Sequence, residues 1–160
     1  MYKKILVPLD GSELAEKILS QVEDLAKCMQ AEIALLTVGN VSHLSYIAEA
    51  APSSAVKETI AALKAGAEKN LSKVSNSLKT KGLKATTLYR EGQPAMEIIQ
   101  CAADAKCDLI AMATHGRGEV AWVLGSVTEK VVTHSAVPVL VMRVIEPQPL
   151  SEKRDLFGGP

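Results

Sequence analysis

Short apolar runs alternate with stretches of helical spacing along this chain. Ile5-Leu6-Val7 is the first run, and Asp10-Gly11-Ser12 breaks it. Leu14, Ala15, Ile18, Leu19, Val22, Leu25, Ala26 and Met29 then recur at helical intervals, which predicts a helix over 12–29 capped by Ser12. Ile33 to Val38 reads as a second buried strand, followed by an irregular stretch, 39–53, with Pro52 near its end. Val56, Ile60, Leu63, Ala67, Leu71, Val74 and Leu78 predict a helix from about Ser54, stopped by Gly82. Leu83 to Arg90 alternates as a strand does, and Gly92-Gln93-Pro94 opens a helix with Ala95, Ile98, Ile99 and Ala102 on its inner face. Leu109 to Met112 is a fourth strand, Ser126 to His134 a short helix and Pro138 to Val144 a fifth strand. Residues 146–160 carry three prolines and two glycines and read as a flexible tail, leaving 1–145 as one domain.

Strands that are apolar at every position need cover on both faces. Alternation with amphipathic helices therefore implies an α/β fold with a parallel sheet between two helical layers. Right-handed crossovers restrict the topology, and ligands in such sheets bind beyond the strand C-termini where the winding reverses. Periodicity does not give the strand order. If strands 1 and 4 are neighbours at the reversal, the crevice lies between Pro8–Ser12 and Ala113–Ser126. These are the two turns richest in glycine and hydroxyl residues. The second contains Ala113-Thr114-His115-Gly116-Arg117-Gly118-Glu119 and, further on, Gly125-Ser126-Val127-Thr128. Backbone N–H groups freed by glycine, together with a helix N-terminus, suit an anion such as phosphate. A tight turn with no ligand is the alternative.

Composition narrows the function classes. Lys+Arg and Asp+Glu are both 18 of 160 residues, which argues against a generic polyanion binder. At 3% aromatic residues, little is available to stack nucleobases as single-strand binders do. No run approaches the ~20 apolar residues of a membrane span, and the apolar run before Pro8 is too short for a secretory signal. The three cysteines, Cys28, Cys101 and Cys107, form no CxxC pair and read as reduced, mostly buried thiols of a cytoplasmic protein. A redox pair of Cys101 with Cys107 is the alternative.

Three segments together resemble the nucleotide-binding branch of the universal stress protein family over residues 2–144. They are Lys4-Ile5-Leu6-Val7-Pro8-Leu9-Asp10-Gly11-Ser12, Met112 to Gly118, and Gly125 to Val131 followed by Val137-Pro138-Val139-Leu140-Val141. The resemblance implies a single-domain, open five-stranded parallel sheet in the order 3-2-1-4-5. It also implies a homodimer through the last strand, Pro138 to Val144. The ligand it implies is ATP, or ADP or AMP, with any Mg held through the phosphates. The family's motif is Gly, two residues, Gly, nine residues, then Gly-Ser or Gly-Thr. Here Ala113 takes the first position, Gly116 the second, and eight residues, 117–124, precede Gly125-Ser126.

The resemblance places Pro8, Leu9 and Asp10 near the nucleoside; the alternative for Asp10 is a turn residue that caps the helix with Ser12. Val38 would offer backbone groups to the adenine edge, or be a core valine. Met112 would flank the sugar or base, or fill the core. Gly116, Gly125 and Ser126 would bind phosphate through backbone N–H groups, with the Ser126 hydroxyl as a further donor. Alternatively, Gly125 is a turn residue and Ser126 an N-cap. Val127 and Thr128 would support the phosphate end. Arg117 would neutralise phosphate charge or be solvated, and His115 would donate to phosphate or brace the loop. Trp122 would cover the site or bury itself. No catalytic residue is expected. The chain lacks GxxxxGK[ST] and a carboxylate pair for metal and water activation, so at most slow ATP hydrolysis is anticipated. The implied function is an ATP-binding stress-response module acting through nucleotide-dependent regulation or assembly, with no nucleic-acid or membrane partner. The competing readings are a slow ATP hydrolase and a dimeric scaffold that has lost nucleotide binding, which the shortened spacing would explain.

Overall fold

A computed structural model describes residues 1–40, 53–114 and 124–143. The elements follow the alternation seen in the sequence. Strand β1 is Lys4–Pro8, helix α1 Glu13–Glu16, helix α2 Leu19–Met29 and strand β2 Glu32–Gly39. Helix α3 is Ser53–Thr80, strand β3 Ala85–Glu91 and helix α4 Pro94–Asp104. Strand β4 is Leu109–Ala113, helix α5 Ser126–His134 and strand β5 Val139–Met142. The five strands form one sheet in the order β3-β2-β1-β4-β5, and every neighbouring pair is parallel. This is the order expected from the resemblance.

The pleat explains how one sheet serves two cores. Ile5 and Val7 of β1 and Ile33 and Leu35 of β2 join Val22 and Ala26 of α2 and Leu71, Val74 and Leu78 of α3 on one face. Leu6, Ala34 and Leu36 point the other way and pack with Ala95, Ile98 and Cys101 of α4 and Val131 of α5. Successive side chains of a strand alternate faces, so strands apolar at every position can fill both layers. Cys101 and Cys107 lie in this second core as buried free thiols, and Cys28 is exposed.

Three local readings are corrected. The helix expected over 12–29 is two pieces, with Lys17 and Ile18 forming a turn between α1 and α2. The irregular stretch expected over 39–53 loses both its ends, since Gly39 belongs to β2 and Ser53 to α3; Ile99, partly buried, does pack against the second core, beside the buried Cys101. Among the described side chains of α3 only Leu71, Val74, Ser75 and Leu78 are buried, and Leu63, expected inside, is 59% exposed. At 28 residues α3 is about 42 Å long, whereas the eight-residue β2 spans about 27 Å, so its N-terminal half outruns the strands that could cover it. Val56 and Ile60 in that half, and Ala67 just beyond it, are partly buried. The loop reading for 41–52, the tail reading for 146–160 and the end of the fifth strand at Val144 lie outside the described residues.

Opposite the C-terminal edge, Asp108 ties the start of β4 to the start of β1. Its carboxylate accepts the N–H of Lys3 at 3.1 Å and 2.8 Å and that of Lys4 at 2.9 Å. No helix among the described residues is long and apolar enough to cross a membrane.

Candidate functional site

The sheet order puts the winding reversal between β1 and β4. Chain from β1 returns through α2 to β2 on one side, and chain from β3 crosses through α4 to β4 on the other. Their C-terminal ends are where such sheets hold ligands. Three local features shape the mouth there.

The first is the way β1 leaves the sheet. Its register with β2 runs through Pro8↔Leu36, and the Leu9 N–H still donates to the Leu36 carbonyl at 2.8 Å. Its register with β4 stops earlier, at Leu6↔Ile110. Backbone groups alternate sides along a strand, so with Leu9 facing β2 it is Pro8 that faces β4. Proline has no N–H to give, and the ladder to β4 ends there. The chain then turns. Asp10 Oδ1 accepts the Ser12 N–H at 2.9 Å and the Ser12 hydroxyl at 2.6 Å, and Gly11 adopts φ 76°, a left-handed conformation open to glycine. The turn role considered for Asp10 is therefore present; its carboxylate is exposed beyond it.

The second is the end of β2. The Leu36 carbonyl is used toward β1, and the Gly39 carbonyl accepts the Gly92 N–H at 3.1 Å toward β3. By alternation the N–H and C=O of Val38 face the side that β1 is leaving. The Leu9 carbonyl, which a longer ladder would give to Val38, instead accepts the Thr37 hydroxyl at 3.0 Å. The Val38 side chain packs against the α4/α5 core, as the core reading had it. A methyl on Gly39 would collide with the Tyr89 hydroxyl, so glycine lets β2 pass close beneath that ring. Burial first, then Glu91 and Glu68, push the Tyr89 phenol up from its ordinary value.

The third is the entry into α5. Gly125 is its N-cap with φ −56°, and its N–H donates to the Thr114 carbonyl at 2.9 Å. That N–H, expected at a phosphate, is thus engaged in closing the segment from Thr114. Ser126 is the first helical residue, exposed, and not the N-cap considered for it. The Thr128 hydroxyl, 4% exposed, donates to the Ala113 carbonyl at 3.0 Å and pins the first turn of α5 to the end of β4. The first intrahelical bond runs from Glu129 N–H to the Gly125 carbonyl, so helix geometry leaves the N–H groups of Ser126, Val127 and Thr128 without an intrahelical acceptor.

Pro8, Leu9, Asp10, Val38, Ala113, Gly125, Ser126, Val127 and Thr128 therefore gather at one edge of the sheet. Met112 is 5% exposed and packs with the α4/α5 core, as the core alternative had it. His115, Gly116, Arg117 and Trp122 lie outside the described residues. Sequence reasoning passed over Thr37. Its only signal was a hydroxyl residue inside the otherwise apolar run Ile33–Val38. Among the described residues, no group of three or more His, Cys, Asp or Glu side chains is placed to hold a metal ion.

The model of the Universal stress protein family matches residues 1–143. The chain belongs to the universal stress protein family. Among curated members, it is 35% identical to Universal stress protein MJ0531 of Methanocaldococcus jannaschii over 89% of this chain and 83% of that protein. It is also 35% identical to Universal stress protein YxiE of Bacillus subtilis over 89% of this chain and 100% of that one. Among solved structures, that of MJ0577, a universal stress protein of M. jannaschii, superposes with a TM-score of 0.79 at 32% identity, covering 92% and 99% of the two chains. A universal stress protein in complex with cAMP has a TM-score of 0.61 at 19% identity, covering 89% and 97%, which is a likeness of fold.

Proposed function

We propose that this universal stress protein binds an adenine nucleotide, ATP or its relatives ADP and AMP, between Pro8–Ser12 and Ala113–Ser126, and that it acts as a nucleotide-dependent regulatory or assembly module. One observation carries the reading. The sheet order puts two chemical kinds of backbone group at the same edge, on either side of β1: the N–H groups of Ser126, Val127 and Thr128 at the N-terminus of the helix that follows β4, and the N–H and C=O pair of Val38 at the end of β2. The first set suits phosphate and the second suits the edge of a base. The Ser126 hydroxyl adds a donor, and Gly116, His115 and Arg117 would complete the phosphate end. Gly125 and Thr128 hold the geometry, Pro8, Leu9, Asp10 and Ala113 form the wall, and Met112 backs it from the core. A Mg ion accompanying ATP would be held through the phosphates.

The spacing of eight residues between Gly116 and Gly125, one short of the family's motif, favours a second reading, a dimeric scaffold that has lost nucleotide binding. Both readings carry a homodimer through β5. The two sheet edges differ: β3 presents Thr86, Thr87, Arg90 and Glu91, whereas β5 is Val139-Leu140-Val141-Met142 with Leu140 37% exposed. An apolar edge is one that proteins pair or cover. Catalysis beyond slow ATP hydrolysis is not part of the proposal.

Mass spectrometry of small molecules released from freshly purified protein tests the nucleotide reading. An adenine nucleotide is expected, together with a rise in melting temperature and a change in Trp122 fluorescence on adding ATP. Protein that carries no nucleotide and responds to ATP in neither assay leaves the scaffold reading standing.

A further inference from the structure

We infer that Thr37 sets the base selectivity of the site, by keeping the Val38 backbone out of the sheet so that it can read a nucleobase. This rests on the nucleotide-binding reading above. At the end of a parallel ladder, the next bond that β2 would make to β1 runs from the Val38 N–H to the Leu9 carbonyl. The Leu9 N–H is still in place for such a continuation, 2.8 Å from the Leu36 carbonyl. The continuation does not occur. The Leu9 carbonyl instead accepts the Thr37 hydroxyl at 3.0 Å, from a side chain on the same strand as Val38. The hydroxyl satisfies that half-buried carbonyl at no cost to the main chain of the next residue. Among the described residues, no backbone acceptor outside the ladder meets the Val38 N–H.

The consequence is chemical. Val38 N–H and C=O, side by side on the open side of β2, make one donor and one acceptor at a fixed separation. Adenine presents the complement on its Watson–Crick edge, an acceptor at N1 beside a donor at N6. Guanine presents the reverse, a donor at N1 beside an acceptor at O6, and meets like against like. Thr37 touches neither base nor phosphate in this arrangement; it is a positioning residue acting through Leu9 and Val38. Thr37→Val keeps the shape and removes the hydroxyl. The Leu9 carbonyl then takes the Val38 N–H, and the reading pair is lost to the ladder while the phosphate donors of α5 stay as they are.

The test is calorimetric titration of ATP and of GTP into wild type, Thr37→Val and Thr37→Ser, with hydrogen exchange at the Val38 amide. Wild type is expected to prefer ATP, and Thr37→Val to lose roughly tenfold of that preference, the factor that ~1.4 kcal/mol of discrimination represents. Thr37→Ser keeps the hydroxyl and the preference. In wild type without nucleotide the Val38 amide exchanges quickly, and ATP slows it. An ATP-over-GTP ratio unchanged in Thr37→Val overturns the assignment, as does a Val38 amide already protected in nucleotide-free wild type, a result that needs no variant to fold. Failure of wild type to bind ATP overturns the nucleotide reading and this inference together.

Discussion

Thr128→Val isolates one hydrogen bond at the root of the proposed phosphate end. The Thr128 hydroxyl is buried and lies 3.0 Å from the carbonyl of Ala113, itself a buried residue of β4. Valine matches threonine in shape, so the substitution opens no cavity; it removes a donor from a buried carbonyl. Leaving such a group unsatisfied costs about 1–3 kcal/mol. A chain of 160 residues unfolds with an entropy near 0.3 kcal/mol per kelvin, so the melting temperature should fall by roughly 3–9 °C. Thr128→Ser keeps the bond but gives up a buried methyl worth about 1 kcal/mol, and should fall between the two. The same bond pins the first turn of α5 to β4, so the rise in melting temperature that ATP produces should shrink in Thr128→Val and persist in Thr128→Ser. Differential scanning calorimetry with and without ATP reads both quantities. A Thr128→Val protein that melts within about 1 °C of wild type would refute the energetic argument. An undiminished ATP shift would refute the geometric one.

Pro8→Ala restores an N–H facing β4. Hydrogen exchange should find the new amide at position 8 protected as the ladder extends past Leu6↔Ile110, and ATP affinity should fall as the mouth narrows; a new amide exchanging like a loop amide refutes the idea. Partial burial pushes the Asp108 carboxyl up, but the N–H groups of Lys4 and Lys3 outweigh it and hold the carboxyl below its usual range. Since the folded value lies below the unfolded one, near 3.9, the stability it adds is present above that pH and is lost as pH falls through the folded value. The gap in urea midpoint between wild type and Asp108→Asn should therefore narrow on going from about pH 6 to about pH 2.5, and a constant gap contradicts the linkage. Burial pushes the Cys107 thiol up to about 11 and raises Cys101 as well, whereas Cys28 is exposed. A thiol reagent near pH 8 should titrate Cys28 quickly in the native protein and all three thiols only after unfolding. Leu140→Glu should convert a dimer to monomer in light scattering; wild type that is already monomeric at micromolar concentration removes the β5 pairing.

The alternation of elements was legible because burial leaves a local trace. Ile5-Leu6-Val7 and Leu109–Met112 are apolar at every position only because both faces of their strands are covered, and Gly82 and Pro94 mark helix boundaries through backbone chemistry that needs no partner. The strand order was not legible from periodicity; it came from the likeness of three segments to a family. The misreadings share a cause. Leu63 has the same spacing as Leu71 and Leu78, but spacing says which side of α3 a residue lies on and not how far the sheet extends beneath it. Cys101 and Ile99 both face the second core from α4, and only the rotation of the helix against the sheet decided that Cys101 is buried fully and Ile99 in part.

The candidate site divides in the same way. That Pro8–Ser12 and Gly125–Thr128 would sit at strand and helix ends followed from glycine, proline and hydroxyl residues beside apolar runs. What each group does was decided by tertiary structure. The Gly125 N–H is spent on Thr114, the Thr128 hydroxyl on Ala113 and the Thr37 hydroxyl on Leu9, and all three partners are backbone carbonyls. Carbonyls are the same in every residue, so their demand for donors appears in no residue letter. Sequence determined which segments could be strands, helices and turns, because those preferences reside in side chains and in single φ angles. Only the folded sheet determined which backbone groups remain free at its mouth, because that depends on where each ladder stops and which side chain reaches the last carbonyl.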